Sequence, residues 1–246
     1  MSNDNGIYSF LKAASENEAA ILESEKELVA LLVEVDRAFQ TLNGQLVNGD
    51  VTGAMLLFNA HASFLAAVRI ALSGQSPPTF MAMRGCIESA LYALIAADDK
   101  SNAAAWLNRN NDKKRCKEIF KPYKAFQILK SKDPNLAVSL QEVYDLSIDF
   151  GAHPNMLSVV HHLTFKDEES GVQPVQLAIL NNVDSITVTR TLLACVEMAI
   201  PVLWIFPQVL PGFAPAIEVH SQATIIRQQL EKWRKSQNWR FESGSG

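Results

Sequence analysis

Residues Arg84 to Asp99 read RGCIESALYALIAADD, and the way this stretch is read decides the fold. Ile87, Leu91, Leu94 and Ile95, with Phe80 before them, recur at steps of three and four, the period of an α-helix. Alanine and leucine fill the positions between, and Pro77-Pro78 supplies a start, so a helix is expected through about Ala97. At about 100° per residue, Arg84 falls near the centre of the apolar face and Glu88 toward one edge. Arginine before glutamate at i,i+4 is the weaker order for an exposed pair. The expectation is therefore a salt bridge at least half-buried in the bundle, since neither charge survives among apolar neighbours without a partner.

The same period extends in both directions. Ile21, Leu28, Leu31, Leu32, Val35, Phe39, Leu42 and Leu46 share one stripe of a long helix beginning near Tyr8, with Glu16, Glu23, Glu27, Glu34 and Asp36 opposite. A second helix runs from about Thr52 to Leu72. Its apolar face is read as Leu57, Phe58, Phe64, Leu65, Val68 and Leu72, with His61 among them. After Asp98 come a short helix, then Lys113 to Lys130, which Pro122 must break. Pro134 opens a helix to Phe150, and Gly151 is read as its stop. Two helices finish the chain, about Ile186 to Phe206 and Pro215 to Ser236.

The period changes once. SVVHHLTF (158–165) and VQPVQLAIL (172–180) alternate apolar and polar residues on either side of the polar link KDEESG. The fold class expected is all-α, an antiparallel helical bundle with a small β-hairpin insertion at about 157–180. Residues 1–240 form one helical domain, and the tail 241–246 is expected to be disordered.

Composition sets the class of molecule. The chain has 246 residues, 48% hydrophobic and 20% charged, which is globular. A net charge of −4 argues against a polyanion-seeking protein. The opening MSNDNGIYSFLKAASENEAA has neither a basic region nor an apolar run, so no secretory signal is expected. Cys86, Cys116 and Cys195 are odd in number and far apart, which fits neither a disulfide framework nor a four-cysteine zinc site and points to a reducing, cytoplasmic setting. TLLACVEMAIPVLWIFPQVL (191–210) is long enough to span a bilayer. Glu197 near its middle, with Pro201 and Pro207, favours burial inside a soluble bundle instead, with no membrane partner. No glycine-rich phosphate loop, nucleophile elbow or H-E-x-x-H motif is present, and no cofactor is expected.

The polar residues within the apolar stripes are the candidates for function. Arg84, Glu88, His153 and His61 are read as lining one polar pocket. There arginine would grip a phosphate or carboxylate, histidine would act as general acid or base, and Glu88 would orient one of them. His153 falls just past a helix end, where the dipole favours an imidazolium. Arg190 and Glu197 are seven apart on one side of a helix. The competing reading makes all of these braces, with His61 donating to a carbonyl or to Glu88, and Arg190 and Glu197 cross-bracing one layer. His153, His161, His162 and Glu88 are metal-ligand types without a ligand spacing, so no metal is expected. Between Asp98 and Asp133, ten Lys/Arg face five Asp/Glu. Lys113, Lys117, Lys121 and Lys124 share a ridge there, opposite Ile119, Tyr123 and Phe126. A solvated helix face is the preferred reading of that ridge, and a nucleic-acid strip the competing one.

MRGCIESALYAL and VYDLSIDFGAHPN together resemble a diffuse group of bacterial helical domains of unknown function. That group carries an Arg-x-x-x-Glu helix followed by a Tyr-x-x-Leu-Ser helix ending in histidine. Arg84, Glu88, Tyr144, Leu146-Ser147 and His153 match, with the Tyr-to-Leu spacing one residue shorter. The resemblance covers roughly Pro77 to Asn155 and adds Tyr144 to the candidate ligand-binding residues. The group is distantly similar to the HEPN superfamily, whose RNases place a histidine four to six residues after an arginine on one helix. Here Arg84 is followed by Glu88, and Arg190 by Cys195 and Glu197, so any shared function is an analogy of fold.

The leading expectation is a non-enzymatic helical module that binds a partner or a small anionic ligand. The runner-up is a HEPN-like, metal-independent RNA-cleaving toxin or phage-defence protein using Arg84 and His153. A third is a structural homodimer subunit meeting its partner through exposed parts of the first helix.

Overall fold

The helical period of the sequence is realised along most of the described chain. The computed structural model describes residues 6–45, 51–152, 163–165, 175–177 and 179–237. The single long helix expected at the start is two, α1 (Gly6–Ser24) and α2 (Lys26–Gln40). Glu25 breaks it at φ −108° and ψ 38°. This residue is buried, and its carboxylate accepts a hydrogen bond from the Thr189 hydroxyl at 2.7 Å. A carboxylate drawn inward needs such a partner. The stripe from Ile21 through Leu28, Leu31, Leu32, Val35 and Phe39 to Leu42 is buried as read, and Leu46 lies outside the described residues.

α3 (Val51–Leu72) and α4 (Ser76–Asp98) form an antiparallel pair. Small residues let them approach: a Cβ on Gly85 would meet the Ser63 hydroxyl at 3.5 Å, and Asn59 donates to Ser89 at 2.7 Å. Gly74 turns the chain between them at φ +86°, a conformation that suits glycine. The turn is tied down from two sides. Asn17 of α1 donates to the Ser73 carbonyl, and the Asn181 backbone and side chain both donate to the Gly74 carbonyl at 2.9 Å.

Three short helices start on aspartate caps, which satisfy free N–H groups of the first turn. Asp99 caps α5 (Lys100–Leu107), Asp112 caps α6 (Lys113–Ile119) and Asp133 caps α8 (Pro134–Ser147). Between the last two, α7 (Pro122–Lys132) opens on the proline that ends the preceding pattern. Gly151 is not a stop. The chain continues past α8 as one π-helical turn, Ile148–Ala152. Glycine is required there by proximity, because a Cβ would lie 2.6 Å from the Phe80 Cβ and 2.7 Å from the Pro77 carbonyl.

α9 (Ile186–Trp204), α10 (Phe206–Val209) and α11 (Ala214–Ser236) complete the bundle. α4 and α9 are its central helices. α9 packs on α2, α3, α4, α8 and α11, while α4 packs on α3, α5, α7, α8, α9 and α10. One contiguous core reaches from Ile21 to Trp233 and takes in all three cysteines.

The fold is all-α, and the β-hairpin insertion expected at about 157–180 is not seen as a part of it. Among the described residues of that stretch, only Leu163–Phe165 and Val175–Leu177 run side by side, three residues each. Alternation alone does not make a sheet layer, because a two-stranded ribbon is marginal in water without a face to pack on. The tail 241–246 lies outside the described residues.

Three helical stretches are long and apolar enough to cross a membrane: Val51–Leu72, Ser76–Asp98 and Ile186–Val209. The last two bury 56% and 72% of their apolar windows inside the bundle, whereas Val51–Leu72 buries 39%. That difference singles out α3.

Candidate functional site

Arg84 and Glu88 meet as the sequence suggests, Nε to Oε1 at 2.8 Å, but Arg84 does not lie at the centre of the buried face. Their side chains are 29% and 27% exposed, so the pair is half-buried. Nearly the whole circumference of α4 is buried, including Met83, Cys86, Ile87, Ala90, Leu91 and Leu94. The less buried line is Met81, Arg84, Gly85, Glu88 and Tyr92. A helix that is apolar all round gives no direction to a stripe argument, which is why Arg84 is not at the centre of the buried face.

α8 covers this line through Tyr144. Its hydroxyl donates to the same Glu88 Oε1 at 3.1 Å, and the Arg84 guanidinium carbon lies 5.7 Å from the centre of its ring. Burial works against the charge of Arg84, but Glu88 and Tyr144 outweigh it and lift its pKa above the ordinary value. Burial, then the Glu88 charge, pushes the hydroxyls of Tyr144 and Tyr92 up. The three residues form a network whose donors and acceptors answer one another, holding α4 to α8.

The remaining candidates do not join that network. His61 pairs with Asp36 of α2, Nε2 to Oδ1 at 2.6 Å, and stacks on Phe39 with ring centres 5.0 Å apart. It contacts α2 rather than Glu88. Arg190 is exposed and does not brace Glu197. Glu197 instead pairs with Arg234, far away in sequence on α11. His153, His161 and His162 lie outside the described residues. Lys113 and Lys117 are exposed on α6, and Lys121 and Lys124 belong to the start of α7, so the ridge is divided between two helices.

Glu197 and Arg234 line a cleft of about 240 Å³ between α8, α9 and α11. Burial raises the Glu197 carboxyl above the ordinary range, and Arg234 opposes that rise. Arg227 lies 5.4 Å over the Trp204 ring and reaches Glu231 at 3.3 Å. With Glu142 the cleft holds three carboxylates against two arginines, each already paired, so it makes a poor anion receptor. Among the described residues, no three His, Cys, Asp or Glu side chains gather as a metal would require.

The sequence reading missed the outer face of α3. Val51, Met55, Phe58, Ala62, Leu65 and Arg69 are all exposed. Phe58 and Leu65, expected in the core, stand 39% and 46% exposed, while Leu57, Phe64 and Leu72 are buried. The reason is again a helix apolar on every side. One signal was available: the exposed positions follow steps of four and three along the whole helix, the spacing of a helix–helix seam.

Comparison of the chain with protein-family models, with curated proteins and with solved structures finds no match.

Proposed function

We propose that the protein acts by association, as a non-enzymatic helical module that docks a partner through the outer face of α3. The observation that carries this reading is the combination of apolar character and exposure in one helix. α3 is apolar enough for a membrane yet buries 39% of its window, and its exposed side chains fall in helix-pairing register. The binding of a small anionic ligand has less support, because Arg84, Arg227 and Arg234 are each engaged by a carboxylate. The ribonuclease alternative leans on Arg84, whose guanidinium is held by Glu88 and stacked near Tyr144.

The test is a variant with Met55, Phe58 and Leu65 all changed to Gln. These side chains are exposed, so the variant should melt with the parent while losing binding of an apolar dye and any self- or partner association. A parent and variant that bind the dye equally and run identically in every association assay would defeat the reading.

A further inference from the structure

Resting on the reading of α3 as a docking face, we infer that the partner is a second copy of this chain, paired antiparallel along α3 about a two-fold axis near Ala60. The seam positions are Val51, Met55, Phe58, Ala62, Leu65 and Arg69, and all six are exposed. Turned end for end about Ala60, they match themselves. Phe58, the largest side chain of the seam, comes opposite Ala62 of the partner subunit, the smallest. Met55 comes opposite Leu65 of the partner subunit, and the aliphatic stem of Arg69 lies over Val51 of the partner subunit. Large against small, repeated on both sides of the axis, is what an isologous interface requires.

The parallel arrangement is worse on two counts. It sets Phe58 against Phe58 and Ala62 against Ala62, which crowds one level and leaves a void at the next. It also brings the two Arg69 guanidinium groups together, and Arg69 is the one charged residue of α3. A lipid surface fits less well than a second chain. Helices that lie on membranes carry several Lys and Arg beside the apolar face. α3 has a single arginine, and the chain as a whole carries −4. A helix of 22 residues is about 33 Å long. Two such faces laid together bury on the order of 1,000 Å², the threshold of a specific interface, so a dimer of micromolar rather than permanent character is expected.

Sedimentation equilibrium of the full chain tests this with three proteins. The parent should sediment at twice its 27.1 kDa mass at tens of micromolar. Ala62→Phe, which fills the hollow, should weaken dimerisation more than tenfold without changing the melting temperature. The exchange Phe58→Ala with Ala62→Phe should restore it, because each large residue again meets a small one across the axis. A dimeric parent with no rescue by the exchange overturns the pairing. A monomeric parent also overturns it. In that case the triple Gln variant shows which idea failed: if its loss of dye binding persists, α3 still docks something else, and if it does not, the docking face falls as well. Flotation of monomeric parent with neutral phosphatidylcholine vesicles would identify lipid as the occupant and overturn the dimer.

Discussion

Arg84 and Glu88 form a one-turn ion pair on the least buried line of the central helix α4, and Tyr144 closes it from α8. The half-buried setting fixes what the pair contributes. A fully buried partner left alone costs ~3–5 kcal/mol, and an exposed pair is worth ~0–1 kcal/mol. Arg84→Ala should fall between them, at about 1–2 kcal/mol in urea unfolding. A loss of ~4 kcal/mol would mean that Glu88 is far more secluded than its exposure indicates.

Tyr144 acts through its hydroxyl as well as its ring. Tyr144→Phe should cost roughly 1 kcal/mol, the usual net worth of one hydrogen bond. In a Glu88→Gln background the same change should cost less, because the acceptor has lost its charge. A double-mutant cycle measures the difference, and strict additivity would show that the hydroxyl and carboxylate are not coupled.

Glu197 makes stability depend on pH. Its raised pKa means that the folded chain keeps this proton to a higher pH than the unfolded chain does. The stabilisation is fully present below the ordinary carboxylate range and is lost as pH climbs through it and through the raised folded value. Glu197→Gln keeps a neutral side chain, so its urea midpoint should rise relative to the parent as pH climbs from the ordinary carboxylate range, about 4, upward. Arg234→Met removes the charge that opposes the rise, and the parent's decline should steepen. If the parent and Glu197→Gln keep parallel profiles across that window, the burial of the carboxyl is misjudged.

Among the described glycines of the chain's second half, Gly151→Ala should be the substitution with the closest contacts. The new Cβ would lie 2.6 Å from the Phe80 Cβ and 2.7 Å from the Met81 nitrogen, so the π-helical turn or the start of α4 must move. Overpacking of this kind costs ~1–3 kcal/mol. Gly85→Ala is the control, since its nearest contact is 3.5 Å and ordinary. Equal melting temperatures for the two variants would contradict the close approach.

Legibility in the sequence followed how well each helix separates its faces. In α2, charged and apolar sides alternate cleanly, and Leu28, Leu31, Leu32, Val35 and Phe39 were all placed correctly in the core. α3 and α4 are apolar all round, so the period established that they are helices but not which way they face. Phe58 and Leu65 face outward rather than inward for this reason, and Arg84 lies on the open line of α4 rather than at the centre of its buried face. Partners far apart in sequence were beyond reach: Glu197 finds Arg234 and Glu25 finds Thr189 only once the bundle is assembled. The alternation around 158–180 is a local signal, and among the described residues it yields only the pairing of Leu163–Phe165 with Val175–Leu177. The Arg84–Glu88 pair was legible from spacing; that Tyr144 rather than His61 closes it into a brace needed the geometry.

The docking of α3 on a second copy is tested most directly by the oxidation of two methionines. Met55 on α3 and Met81 on α4 are matched in the single chain, 47% and 50% exposed, so free protein should oxidise both at similar rates with dilute peroxide. Met55 lies in the proposed seam and Met81 outside it. As protein concentration rises into the micromolar range, sulfoxide formation at Met55 should fall several-fold while Met81 is unchanged. Equal rates at every concentration would contradict the docking of α3 on a second copy.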